Sequence, residues 1–463
     1  MAHHFVTSAD IPVDGERLVH SKVESAKRVA GGVALLTGLI SAYLLFIAPE
    51  KIQAPFAYSW LFAFFFFFTL AVGGCFWTLL HNVSNSGWGT SVRRVMENLG
   101  SVFPWMAIFA IPLACPLVQR WLFEWMNIHR DAMEAGGKVF DGGWRTMFGF
   151  YGSPSMEKAL EADHQALLVN KQWYMNQFAF YVRFAFYFVG LGVVIRALRK
   201  FSTAQDSDPN PGTRNLFKAR FHSTYTLIIF AITITFAGID LLQGMKFDWF
   251  STMWGVYLFA GAALNSMAVI IITCTLMMKA GYMKKVVGPE HFHIMGKLLL
   301  AFTIFWAYIA FSQYFLIWYA NIAEETSWFL IRNTGGWNTA SIALVFGHFV
   351  IPFVILLQAW LKRNPKYLSI VAGYTLVMHI LDHYIIVIPE RSVSLYAMAL
   401  KHVPGTETFA TVTTTVPGAF WGDILAFVAI GSGFLFFYLR ALTQTAIYPH
   451  RDPRILESAN VSN

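Results

Sequence analysis

His379, Asp382 and His383 lie three and four residues apart inside an otherwise apolar run from Tyr367 to Ile388. On a helix that spacing puts all three on one face. In a bilayer-crossing helix, a carboxylate at this depth costs about 2.5–3.5 kcal/mol on insertion scales, so it persists only against polar partners or a water-filled cavity. Such groups mark proton, ion or cofactor paths. Histidine changes charge near neutral pH, and a neighbouring carboxylate can orient it, hold its imidazolium or pass the proton on. A hydroquinone needs a donor and an acceptor for its two oxygens, and its oxidation needs a base connected to water. His379 with Asp382, backed by His348, meets that requirement. The same residues would also serve a proton channel without quinone, or a polar cluster that fixes helix register. Paired histidines could ligate a b-type haem, although no second histidine pair lies at another depth.

The positioning elements follow from composition. The chain has 463 residues, 56% hydrophobic and 13% charged, against about 25% charged in soluble domains. Ten apolar runs are long enough to cross about 30 Å of hydrocarbon: 28–48, 56–81, 97–122, 173–198, 221–244, 251–279, 294–321, 334–361, 367–388 and 419–440. They are too long and too uniformly apolar for barrel strands. The expectation is an all-α integral membrane protein of ten transmembrane helices, with spans 3–6 and 7–10 forming two four-helix bundles beside two N-terminal helices. Residues 1–27 form a polar tail without the features of a cleaved signal, the membrane domain covers 28–440, and 441–463 form a C-terminal tail. Two long connections, 123–172 and 389–418, include Trp125, Trp144, Tyr151 and the stretch Thr406–Thr415; loops of this length are commonly functional. The Phe62–Phe68 run reads as a lipid or subunit contact.

Most Lys and Arg fall in the two tails and the 2–3, 4–5, 6–7 and 8–9 loops. The positive-inside rule then puts both termini in the cytoplasm. The net charge of +8 is a topology signal, since the basic residues are dispersed over short segments; nucleic acid is not an expected partner. Cys75, Cys115 and Cys274 all fall in spans, and the absence of CxxC or CxxCH argues against a covalent haem or a cysteine-bound iron–sulfur cluster in this chain. This orientation places His348 and His379 near mid-depth. Asp382, His383, Asp240, Gln313 and Tyr314 lie in the outer half, with Asp423 at the outer start of span 10, and Asn265 shares a face with Tyr257 and Gly261. Pro352 in span 8 should release the His348 carbonyl, and Pro104, Pro112 and Pro116 interrupt span 3. At the cytoplasmic ends, Glu97, His222, His293 and Lys297 are candidates for proton uptake; contact with lipid headgroups is the plainer account.

The segment from His291 to Thr326, HFHIMGKLLLAFTIFWAYIAFSQYFLIWYANIAEET, resembles the NrfD/polysulfide-reductase-type membrane subunits of alternative complex III. GHFVIPF (Gly347–Phe353) and HNVSNSGWGTSVRRVMENL (His81–Leu99) resemble the same family, and the likeness is greatest to its ActF type. That resemblance implies a subunit of a quinol-oxidising respiratory complex in the bacterial inner membrane. The implied partners are a related NrfD-like membrane subunit, a periplasmic iron–sulfur subunit, multihaem cytochrome c subunits and a terminal oxidase. Haems and iron–sulfur clusters would then sit in those partners, and this chain would contribute a proton path and a contact to quinone or menaquinone at His379 and Asp382. No metal site is expected. A stand-alone secondary transporter with a site at its broken helices, or a purely structural subunit, are the rival expectations.

Overall fold

A computed structural model describes residues 5–127, 168, 171, 173–208, 211–402 and 417–462. Among these, ten helices are long and apolar enough to cross a membrane: Ser21–Phe46, Glu50–Ser84, Thr90–Ala114, Gln177–Ser207, Arg214–Met245, Trp254–Lys279, Pro289–Ala320, Gly335–Leu356, Pro365–Val393 and Ala419–Gln444. They are spans 1–10 below, and each overlaps one of the ten apolar runs. No strand occurs among the described residues. The protein is an all-α, multi-pass membrane protein. Trp144, Tyr151 and Thr406–Thr415 lie outside the described residues.

The grouping of the ten differs from two bundles beside an N-terminal pair. Span 2 is the central helix, with 94% of its apolar window buried, and spans 3, 5, 6, 9 and 10 all pack on it. Span 10 leaves the 7–9 group to pack against spans 1 and 2. The Phe62–Phe68 run is therefore not a lipid contact: every one of its residues is buried. Small residues let the central helix come this close. Gly73 sits against the Ala262 carbonyl and Ser266, and Gly74 against Gly100, with no room for a Cβ at either. Trp77 Nε1 donates to the Ala263 carbonyl at 3.0 Å, fixing the register with span 6.

Prolines break backbone bonds that side chains then repair. Pro104 frees the Gly100 carbonyl, which accepts from Cys75 Sγ at 3.6 Å. Pro389 frees the Ile385 carbonyl, and the buried Arg332 donates to it from Nε at 2.9 Å and to the Ile386 carbonyl from Nη2 at 2.7 Å. The same guanidinium pairs with Glu390 at 3.0 Å and lies 3.3 Å from the centroid of the Trp328 ring. So satisfied, the helix continues through Pro389 to His402, where a loop was expected.

Both tails lie at one end of the bundle, the terminal end. Ile447 N–H donates to the Glu16 carbonyl at 2.9 Å, and Val6 N–H to Asn460 Oδ1 at 2.8 Å. The C-terminal tail is clamped to span 3 by Asp452, 2.6 Å from Arg93 Nη1. Burial alone would raise the Asp452 pKa, but Arg93 and Arg454 outweigh it and hold the carboxyl below its ordinary 3.8.

Two predictions follow from these contacts. A carboxyl depressed in the folded state adds stability that is complete above its unfolded pKa and is lost as pH falls through the lower folded value. The protection of Ile455–Ala459 against hydrogen exchange, corrected for the intrinsic rate at each pH, should therefore fall as pH drops below 3.8, whereas Asp452→Asn should show low protection at neutral pH and no further acid step. Arg332→Ala would strand Glu390 and two carbonyls, and should destabilise the protein by about 3–5 kcal/mol. Arg332→Lys should recover little of this, since it lacks the planar fork; thermal unfolding in detergent measures both.

Candidate functional site

The helical spacing of span 9 does place His379, Asp382 and His383 together, exposed by 0%, 2% and 1%. Span 8 adds His348, also 0% exposed. Its backbone there is a π-helical turn, Val345–Val350, in which Ile351 N–H donates to the Phe346 carbonyl. The expected kink before Pro352 takes this form, and π turns recur at functional sites. The His348 ring lies 4.2 Å from the Trp306 ring and 6.2 Å from that of His379, centroid to centroid.

Hydrogen bonds assign the protons. His383 Nδ1 is 3.2 Å from the His379 carbonyl. A carbonyl only accepts, so Nδ1 carries the proton and Nε2 presents its lone pair. The Thr69 hydroxyl donates to the Phe66 carbonyl at 2.7 Å, which leaves its oxygen to accept from His379 Nε2 at 3.1 Å. A neutral His379 then turns the lone pair of Nδ1 toward Asp382 Oδ2, 3.7 Å away. The other Asp382 oxygen accepts from the Tyr257 hydroxyl. Two acceptors face each other across the His379–Asp382 gap, so a proton on either one stabilises the pair. Among the described residues His379 Nδ1, His383 Nε2 and both His348 nitrogens have no hydrogen-bond partner. Leaving such buried groups unpaired costs about 1–3 kcal/mol each, so the cluster has spare capacity for protons, water or a ligand.

Beside the cluster lies a cavity of about 980 Å³ between spans 6, 7, 8 and 9. Asp382 and Tyr257 form part of its wall with Gln313, Tyr314, Arg332, Asn338 and the rings of Trp254, Trp306 and Trp328. Asp382 reaches the cavity, while the three histidines stand behind it. The mouth opens on the outer apolar face between spans 7 and 8, where Tyr308, Phe311, Val345 and Phe346 are exposed. Gln313 is buried and Tyr314 is 37% exposed. His379, Asp382 and His383 each offer a donor atom within 4.8 Å of the others. These are the donor types of a divalent-metal site, but Asp382 is already engaged by Tyr257 and shared with His379, which favours proton sharing.

Other sequence candidates lie elsewhere. Asp240 is saturated by Arg183 at 2.8 and 2.9 Å and by the Tyr187 hydroxyl at 2.6 Å. It borders a separate cavity of about 410 Å³ with Lys171 and Tyr174. Glu97 is buried between Arg93 and Arg94, at 3.1 and 3.2 Å. His222 bonds Tyr225 at 2.7 Å and stacks on Phe201. His293 is buried and Lys297 exposed on span 7. No hydrogen bond or ion pair joins Glu97, His222, His293 and Lys297 into one site among the described residues. Sequence reasoning missed Thr69, a lone hydroxyl after the Phe run, and the pairing of Tyr257 with Asp382, whose only signal was its helical face with Gly261 and Asn265. That face is shaped for the site: a Cβ on Gly261 would lie 3.2 Å from His379 Cε1. No protein-family model matches the chain, and no curated protein matches it.

Thr69→Val would remove the acceptor for His379 Nε2–H and should cost about 1–3 kcal/mol in thermal unfolding. Thr69→Ser, which keeps the hydroxyl, should cost less.

Proposed function

We propose that this chain is a membrane subunit of a quinol-oxidising electron-transfer complex of the alternative complex III type, and that it takes protons from quinol at Asp382. The observation that carries the reading is the cavity that opens on the apolar face and ends on the Tyr257–Asp382 pair. Its shape suits an amphiphile: an apolar tail along the Phe311 and Phe346 mouth, and a polar ring at the inner wall. One quinol hydroxyl would donate to Asp382, and the Gln313 amide on the same wall offers a donor and an acceptor for the second oxygen. Oxidation of quinol to quinone releases two protons and two electrons. Asp382 accepts the first proton and shares it across to His379 Nδ1, which frees the carboxylate for the next. The electrons leave to the centres of a periplasmic iron–sulfur subunit and multihaem cytochrome c subunits, and the related NrfD-like membrane subunit is a further partner.

The distribution of Lys and Arg supports a bacterial inner-membrane orientation with the terminal end in the cytoplasm and the cluster in the periplasmic half. A secondary transporter is the rival; it would purify alone, whereas this reading has haem-bearing partners co-purifying in mild detergent. Asp382→Asn should lower quinol-dependent turnover of the purified complex by about 10²–10⁴-fold, with Tyr257→Phe weaker and both assembling normally. Unchanged turnover and proton release in Asp382→Asn would remove this carboxylate from the reaction.

A further inference from the structure

On the outer face of the terminal end, in the groove between spans 4 and 10, two arginines converge on one indole. Arg196 Cζ lies 5.9 Å and Arg440 Cζ 5.6 Å from the centroid of the Trp105 ring, within the range of a cation–π contact. Trp105 itself lies flat on Phe437, with ring centroids 4.5 Å apart and planes inclined by 9°. Both arginines are exposed, and neither has an ion-pair or hydrogen-bond partner among the described residues. The cations and acids around them are already committed. Arg199 donates to Asn98 Oδ1 and to the Ala441 carbonyl. Glu97 is held by Arg93 and Arg94, and Asp206 by Arg94 at 2.8 Å. Each free arginine also directly follows the apolar part of its helix, Phe184–Ile195 in span 4 and Ile424–Leu439 in span 10. They therefore stand at the depth where hydrocarbon gives way to headgroups.

Two uncompensated guanidiniums beside a flat aromatic floor, at that depth, match one kind of ligand. We propose that this groove binds an anionic phospholipid, with its phosphodiester held by Arg196 and Arg440 and an acyl chain lying along Trp105 and Phe437. Guanidinium forks match phosphate oxygens in geometry as well as charge, and basic pockets between spans are known headgroup sites. A zwitterionic lipid brings its own ammonium to a site that already has two excess cations, so the groove discriminates against it. The site is independent of whatever occupies the cavity at Asp382.

Native mass spectrometry of the delipidated protein, with any subunits that co-purify, tests this. The probes are phosphatidylglycerol and phosphatidylcholine, added to wild type, R196Q/R440Q and R196K/R440K. Wild type should retain phosphatidylglycerol preferentially. R196Q/R440Q should lose that preference, with affinity reduced roughly 30-fold, while its melting temperature in zwitterionic detergent stays unchanged. R196K/R440K, which keeps the charge, should fall between the two. Equal retention of both lipids by wild type would overturn the proposal, as would an unchanged preference in R196Q/R440Q. Displacement of the lipid by millimolar inorganic phosphate would do the same, since it would show a site for free anions, and so would a protein side chain filling the groove in the intact complex.

Discussion

A carboxylate enclosed by hydrocarbon must have its charge answered from inside the protein. At Asp382 the answer comes from two directions, the Tyr257 hydroxyl on one oxygen and the His379 ring across from the other. Those contacts bind span 9 to span 6. Through the Thr69 bond to the far side of the same imidazole, they bind both to the central span 2. The cavity wall, the orientation of His379 and the seating of the buried phenylalanine helix thus all depend on how one negative charge is accommodated.

The buried charges divide by how fully they are satisfied. Asp423 takes Arg391 at 2.6 and 3.2 Å, Ser59 at 2.5 Å and Tyr384 at 3.0 Å. Asp240 and the Arg332–Glu390 pair are similarly complete. Removing one partner from such a set is costly because the other remains charged and buried, so these sets hold helices in register and have little left to offer a ligand. The His348–His379–Asp382–His383 cluster is the opposite case. Four of its six imidazole nitrogens have no hydrogen-bond partner among the described residues, and an unfinished network next to a cavity is where protons can be taken up and released. Both kinds carry ionisable side chains, and only the count of hydrogen bonds tells them apart.

That distinction sets the limit of what the sequence reveals. Ten spans are legible because each needs about 20 consecutive apolar residues, and the 379–383 trio because helical spacing alone puts it on one face. Phe62–Phe68 misleads because lipid and protein interior are equally apolar, so hydrophobicity cannot say which of them a helix faces. Asp240 and Asp382 look alike as intramembrane carboxylates until Arg183 is found beside the first. The Thr69–His379 bond joins residues 310 positions apart, with no local pattern to announce it. Pro389 reads as a helix stop because the repair of its freed carbonyl comes from Arg332, on another element. In each case the missing information is a tertiary partner, not a propensity.

The central place of span 2 bears on how the chain is made. It precedes in the chain most of the helices that enclose it, spans 9 and 10 among them. Until they arrive, its phenylalanines must rest against lipid, which their apolarity permits at little penalty. The nascent protein can therefore wait in the bilayer as a set of separately stable helices, and its interior closes only once span 10 has been inserted.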